Sequence, residues 1–528
     1  MNPEHDPETC MDVDVLVVGA GPSGLTVSAA LARAGIRTLT IERHAGTSIF
    51  PKATGVRIRT MEILRSWGLD GRMPERDDDL RLVLSVSPTL AAPQLEEVPL
   101  GIPDDGGTHE VTPSHFTFVA QDRLEPILLD HARERGGDIR FGTELVSLAV
   151  DDDGATAHVR TVPDGPSYAV RTRYVVGADG GGSAVRAAAG IGWSTLGSEG
   201  HHLSMLFRAD LSPALGGRSA VLHATVAPGA QGMFVATGET DRWTFDVEWA
   251  PEEGDTVSDW TPERVRAVIR AASGLPDLEP QVDGIFPWEF GAAVADTQRS
   301  GAVFLVGDAA HRTTPRRATG MNTGIADAHN LGWKLAWVLR GWAHARLLDS
   351  YDSERRPVGL ANARRSLEPA ADDSPDHDIL ADDLEVTYRT VAVEDAGDAP
   401  PTRRAVVGAR APHAWVQRGG ERVSLLDLYD GHLTVVTGTG GTPWRSAAAE
   451  LAAGGLPIEV VELGAEVEGG AAATGRYDVD ASRAVLVRPD GHVAALLRGG
   501  PTSAGPTLRA AVDRALGRSV EALDTLAG

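Results

Sequence analysis

The chain has 528 residues, too many for one ordinary core, so two or three domains are expected. Its 49 basic and 74 acidic residues leave a formal charge of −25, which disfavours nucleic acid as a partner because phosphates would be repelled. The one cysteine, Cys10, excludes an intramolecular disulfide or a cysteine-built zinc site, and no metal is expected. Redox chemistry in such a chain has to come from a cofactor. No apolar run approaches a membrane span and no signal peptide is visible, so no membrane partner and a cytoplasmic location are expected. Lysine occurs only at Lys52 and Lys334.

From residue 13 to about 45 the pattern is strand, glycine turn, helix and strand: Val13–Val18 is β-branched, Pro22–Ala34 has helical spacing, and Arg37–Ile41 is a second strand. Residues 59–67 and 122–135 read as helices. Strands are expected near 139–150, 156–162 and 168–176, with weaker strand signals at 80–118. Residues 200–290 alternate polar and apolar, as in SMLFRAD and RWTFDVEW, which predicts an antiparallel sheet. Its tryptophans, Trp243, Trp249, Trp260 and Trp288, read as core more than as stacking platforms. Ala302–Val306 is a buried strand and 321–341 a long helix; 369–402 reads partly as a linker. Beyond about 403 the strands LTVVTG, IEVVEL and AVLVRP and a closing helix near 507–516 predict a separate α/β domain.

Gly19-Ala20-Gly21-Pro22-Ser23-Gly24 lies between a strand and a helix. Gly19 permits the tight turn, Gly21 lets a pyrophosphate approach, and Gly24 allows close packing of helix on strand. Glu42, ending the second strand, can accept ribose hydroxyls. Asp179-Gly180 and Gly307-Asp308 each follow a strand, and fit one large ligand lying across the sheet, with Asp308 on its ribityl hydroxyls. His311 is a candidate base, though a histidine after such a strand is more often structural. His201 and His202 are candidates to line a pocket.

These motifs (GAGPSG, ADGGGSAVR, VGDAAH and GMNTGIADAHNLGWKLA) stand in the order of the FAD-dependent aromatic hydroxylases with the para-hydroxybenzoate hydroxylase fold. The chain resembles that family over about residues 12–365, and is most similar to members that tailor polyketides for antibiotic biosynthesis. The tail resembles their thioredoxin-like extension. The resemblance implies an α/β (α+β) fold: a Rossmann-like FAD-binding domain (12–195 and 296–400) interleaved with an antiparallel substrate domain (196–295, with strands near 80–118), then a thioredoxin-like domain at 403–528. It implies non-covalent FAD, NADPH or NADH as a transient reductant, dioxygen, a small aromatic substrate, and a monomer or homodimer. Hydroxylation would proceed through a flavin C4a-hydroperoxide. Baeyer–Villiger oxidation on the same fold is the alternative, and a flavin-bound protein without turnover a third reading.

The resemblance also carries over residue roles. Glu42 and Arg43 would contact the adenosine ribose, and Lys52 the phosphates. Gln121 would touch the cofactor, and Val146 the adenine through its backbone. Asp179 would serve both FAD and the visiting nicotinamide. Met321 and Asn322 would hold the flavin pyrimidine edge by backbone groups, Gly320 would also contact the cofactor, and the Pro315 backbone would lie at its reacting edge. Relatives carry small, glycine-type residues where this chain has Arg316-Arg317-Ala318. No residue is named as a firm acid or base; the candidates are the Pro315 backbone, Arg317 and His311.

Overall fold

The computed structural model describes residues 10–74, 79–101, 108–368, 379–388, 400–464 and 470–518. Three sheets organise it. The first is eight-stranded, and its spine runs Arg299–Ser300, Val303–Leu305, Ser167–Gly177, Met11–Val18, Thr38–Glu42, Asp138–Phe141. Met11–Val18 pairs in parallel with Thr38–Glu42 on one side and Ser167–Gly177 on the other. Its residues Val15, Leu16 and Val17 have no exposed surface, as expected of a strand covered on both faces. Helices Pro22–Arg33 and Gly320–Leu339 pack on one face, and the antiparallel strands Thr143–Asp151 and Gly154–Thr161 extend the sheet beside Ser167–Gly177.

The second sheet has the order His311–Arg312, Gln281–Ala295, Trp193–Arg208, Arg242–Trp249, Gly232–Ala236, Ala220–Thr225, Arg81–Ser87, Glu96–Pro99. It is antiparallel except where Ala220–Thr225 meets Arg81–Ser87. Strict alternation gives it two unlike faces. Leu203, Met205, Phe207, Phe234, Trp243 and Phe245 point to one side and form a core with helix Pro262–Ser273. Trp243 and Trp260 belong to that core, as the sequence predicts.

The C-terminal domain is a four-stranded mixed sheet, ordered Ile458–Leu463, Leu433–Gly438, Arg483–Val487, Val493–Arg498, with helices Thr442–Ala453, Gly470–Tyr477 and Ala504–Ala515. This is the thioredoxin-like arrangement. Its core merges with that of the FAD-binding domain, with Trp444 and Leu508 in one cluster with Trp333 and Trp337. Buried ion pairs cross the same boundary. Arg410 grips Glu62 at 2.9 and 2.8 Å, and Arg488 grips Glu354 at 2.7 and 2.9 Å. Burial pushes Glu62 up, but Arg410 and Arg59 outweigh it and hold the carboxyl at about 2. Lys334 is fully buried on Glu354 at 2.8 Å, and burial lowers its amine to about 8.

Most of the alanine- and aspartate-rich stretch 369–402 lies outside the described residues. Its described part is not a plain spacer: Asp383 accepts from the Arg59 amide at 2.9 Å, and Tyr388 receives Arg355 at 3.0 Å. Among the described residues no helix is long and apolar enough to cross a membrane.

Candidate active site

The first strand runs into Gly19 at φ +103°, a conformation that side chains oppose. A Cβ there would lie 2.3 Å from the Ala178 carbonyl oxygen, and one on Gly24 would lie 2.0 Å from the Gly19 oxygen. Gly21 differs, because a Cβ on it would meet nothing within 4 Å. No protein neighbour demands glycine there; the missing side chain keeps the N-terminus of helix Pro22–Arg33 approachable. That helix has no side-chain cap, so its first N–H groups, from Ser23 onward, remain available to an anion. Glu42 braces the loop, accepting the Ala20 amide at 2.9 Å on one oxygen and the His44 amide at 2.9 Å on the other. Arg43 is exposed beside it.

Lys52, on the loop after Glu42, is exposed. That loop is fixed from helix Gln121–Glu134: Gln121 donates to Glu125 at 2.7 Å, and Glu125 accepts the Ser48 amide at 2.6 Å. Burial raises the Glu125 carboxyl. Val146 sits at an irregularity in the pairing of its strand, between Leu145 and Ser147, and its side chain is exposed. Asp179 accepts the Ser183 hydroxyl at 2.5 Å and the Val185 amide at 3.1 Å, with Gly180 turning beside it. Asp308, after Gly307, is exposed and accepts no hydrogen bond from a described residue. Surrounding protein raises its carboxyl, opposed by the charges of His311, Lys52 and Arg312.

His311 lies beneath this surface rather than on it. It has no exposure, and its Nε2 meets Asp327 at 2.6 Å; Asp327 also accepts the Gly307 amide at 3.2 Å and Arg355 at 2.7 Å. Pro315 is exposed. The two residues after Arg316 are both left-handed, Arg317 at φ 66° and Ala318 at φ 50°. Here the backbone takes the shape that glycine favours, with side chains in place. Asn322 clamps the turn from the next helix. It accepts the Arg57 amide at 2.9 Å and donates to the oxygens of Gly55 at 2.8 Å and Ala318 at 2.7 Å. Arg316 pairs with Glu199 at 2.6 and 2.7 Å and lies over the Phe290 ring. Arg317 does not turn to solvent: its side chain is 13% exposed, 3.9 Å from Glu368. Helix Gly320–Leu339 has no side-chain cap, so the amides of its first turn, at Met321 and Asn322, point out unclaimed by a cap.

The second sheet turns one face to this assembly. Phe286 stacks on Phe50 at 4.1 Å. Arg242 joins the two domains, reaching Asp122 at 2.7 Å and the Ile49 oxygen at 2.8 Å. The face is half-buried and carries the apolar side chains Leu84, Val86, Leu222, Met233, Phe286 and Trp288 beside the polar positions of strand Arg242–Trp249. His202 stacks on Trp288 at 4.7 Å, and His201 meets Trp249 edge-on.

An FAD binding domain family matches residues 12–366, and the C-terminal domain family of aromatic-ring hydroxylases matches residues 404–519. The chain belongs to the FAD-dependent aromatic-ring hydroxylases. It is 37% identical over 532 residues to aklavinone 12-hydroxylase of Streptomyces purpurascens, covering 96% of this chain and 99% of that one. A solved ternary complex of aklavinone-11 hydroxylase with FAD and aklavinone superposes with a TM-score of 0.84 at 36% identity, covering 98% of this chain and 100% of that one. The flavin-dependent monooxygenase PieE, solved with FAD and substrate, gives 0.84 at 32% identity, covering 96% and 100%.

The hydroxylase's cradle suits the FAD that this family binds. The unobstructed Gly21, the two uncapped helix ends and the Asp308 carboxylate, which accepts nothing from the described residues, are groups of the kind that a dinucleotide's phosphates and hydroxyls can meet. Three contributors are not singled out by motif: Glu125, which fixes the Lys52 loop; the Asn322 side chain, which clamps the left-handed turn; and Arg242, which joins the domains. The pattern Q-D-R-L-E does show that Glu125 shares a helix face with Gln121, four residues apart, and that was the available signal.

Proposed function

We propose that this monooxygenase hydroxylates an aromatic, polyketide-like small molecule, consuming NAD(P)H and dioxygen, with FAD held non-covalently. The observation that carries the reading is the half-buried sheet face turned to the cofactor domain, whose apolar side chains Phe286, Trp288, Met233 and Leu222 offer the surface that a flat aromatic ring system would pack on. The relatives' names, aklavinone hydroxylases among them, agree with that substrate class.

In this reading the amides at the start of helix Pro22–Arg33 take the pyrophosphate, helped by Lys52. Glu42 and Arg43 hold the adenosine ribose, Val146 lies by the adenine, and Asp308 takes the ribityl chain. Gln121 and Asp179 complete the contacts. FAD, when bound, supplies the hydride acceptance and oxygen activation that no side chain can. The start of helix Gly320–Leu339 turns its positive end toward the pyrimidine edge and favours negative charge there. Trp288 and Phe286 orient the ring and keep water away. His311 acts through Asp327 as a support for the Gly307–Asp308 turn, not as a base.

Purified enzyme should be yellow and release all its flavin in acid. A polycyclic phenol should stimulate NAD(P)H oxidation and gain one oxygen atom with its rings intact. A product with an expanded ring would replace hydroxylation by Baeyer–Villiger oxidation. Oxidation that no aromatic compound stimulates would overturn the reading.

A further inference from the structure

The substrate-side sheet face carries two carboxylates without an ion pair among the described residues, the exposed Glu248 and the enclosed Asp246. On strand Arg242–Trp249 the even positions, Arg242, Thr244, Asp246 and Glu248, share the face turned to the FAD-binding domain. Asp246 lies in register with Ser204 on one neighbour and Met233 on the other, and Phe286 stands beyond Ser204. Its one hydrogen bond comes from Ser204. Trp288 Nε1 can only donate and reaches Ser204 Oγ at 2.9 Å, and an ionised Asp246 can only accept. Ser204 therefore accepts from Trp288 and gives its own hydrogen to Asp246 Oδ1. Oδ2 accepts nothing from the described residues.

Among the described residues, most other enclosed carboxylates have cations, and Glu125, which has none, fills both oxygens with hydrogen bonds from Gln121 and the Ser48 amide. Glu62 has Arg410, Glu354 has Arg488 and Lys334, Asp327 has Arg355, and Asp122 has Arg242. Asp246 has none, and burial pushes its carboxyl up to about 7 against the Ser204 hydrogen bond alone. The other titratable groups near it on the face are Glu248 on its own strand and His202 on Ser204's strand. Strand Gly232–Ala236 brings none, Gln281–Ala295 presents Phe286 and Trp288, and Arg242 is engaged by Asp122. A lone carboxylate on an apolar surface is unfavourable unless something meets it.

We propose that Asp246 is the substrate-binding carboxylate, its Oδ2 taking the hydrogen of an acidic ring hydroxyl while the Trp288–Ser204 relay holds Oδ1. The assignment rests on the sheet face being the substrate surface. In the transfer, the substrate O–H bond breaks, a carboxyl O–H forms on Asp246, and the electron pair stays on the phenolate oxygen. The ring becomes electron-rich, as oxygen insertion requires, and Asp246 returns the proton to solvent after turnover. The site then selects phenols over their ethers.

The test uses FAD-loaded enzyme with 2-hydroxyanthraquinone and its methyl ether, binding being read from the flavin absorbance. Wild type should prefer the phenol by about tenfold or more, the range for a hydrogen bond to a charged group, and Asp246→Asn should erase most of that preference. An unchanged preference in Asp246→Asn overturns the assignment and leaves the substrate surface standing. If neither compound binds, the reading of the face falls and the assignment with it. Stability supplies a readout free of substrate. Folded Asp246 keeps its proton to about pH 7, whereas the unfolded chain releases it near pH 4, so ionisation weakens the fold as pH rises through that window. Asp246→Asn should therefore raise Tm more at about pH 8 than at about pH 4. A lower Tm at the higher pH would show a carboxylate that the fold itself needs, and would overturn the assignment.

Discussion

Two turns frame the cofactor cradle and solve the same problem in opposite ways. At Gly19–Gly24 the tight backbone is reached by leaving side chains out, so its left-handed step carries no side-chain strain and the Glu42 brace has little to hold against. At Arg316–Ala318 two residues with side chains are held left-handed, which costs about 1–2 kcal/mol for each. That turn persists because Asn322, Arg57 and the Arg316–Glu199 pair hold it. A glycine turn is specified locally; a side-chain-bearing one is specified by its clamps.

The largest effect should come from putting a methyl into the first turn. Gly24→Ala places a Cβ 2.0 Å from a backbone oxygen that cannot give way. We expect a loss of about 3 kcal/mol or more in urea unfolding, with flavin-free or insoluble protein. A soluble, yellow variant of normal Tm would show the first turn to be as adaptable as the second. Next, Asn322→Ala should cost about 2–3 kcal/mol, because the buried Arg57 amide and Gly55 carbonyl lose their partner. An unchanged midpoint would mean that the second turn needs no clamp.

Gly21→Ala separates protein-imposed from ligand-imposed glycine. Apoprotein stability should move by no more than about 0.5 kcal/mol, while FAD affinity falls by about tenfold or more. Equal FAD affinity would place the phosphates elsewhere. Ala318→Gly should stabilise by about 1 kcal/mol, since glycine accepts φ > 0 freely; a fall in Tm would show that the methyl contributes more than the strain removes. Smallest, Lys52→Ala should weaken FAD binding a few-fold, and Lys52→Arg should keep it. Lys52 is exposed, so water screens its charge.

What could be read in the sequence follows the same division. The strand, the glycines and the helix of the first turn are contiguous, so residues 13–45 announce their structure directly, and the alternation in RWTFDVEW shows a two-faced strand. The substitution of Arg316-Arg317-Ala318 for smaller residues was visible, but not its outcome, because the clamp Asn322 and its partners Gly55 and Arg57 lie some 265 residues apart. Alternation could not say which face of Arg242–Trp249 meets the cofactor domain, so Asp246 stood out only once Phe286 was stacked on Phe50. Lys334 was conspicuous by rarity alone. Its meaning rests on Glu354 and Arg488, and no local pattern joins the three. The stretch 369–402 has the composition of a linker, yet Asp383 and Tyr388 are tied into the body by contacts that composition does not report.

The ion pairs between the C-terminal domain and the rest bear on how such enzymes can be recombined. Glu62 and Glu354 belong to the FAD-binding domain, Arg410 and Arg488 to the C-terminal one, and all are enclosed. Cutting the chain near residue 403 takes Arg410 from Glu62 and Arg488 from Glu354, leaving them Arg59 and Lys334 alone, at a site where a poorly matched charge is costly. A chimaera that takes its tail from a relative inherits the same debt unless the donor brings arginines to those two places, or the host loses its glutamates in the same exchange. The two domains are thus a lock and key cut together, to be grafted as a matched set.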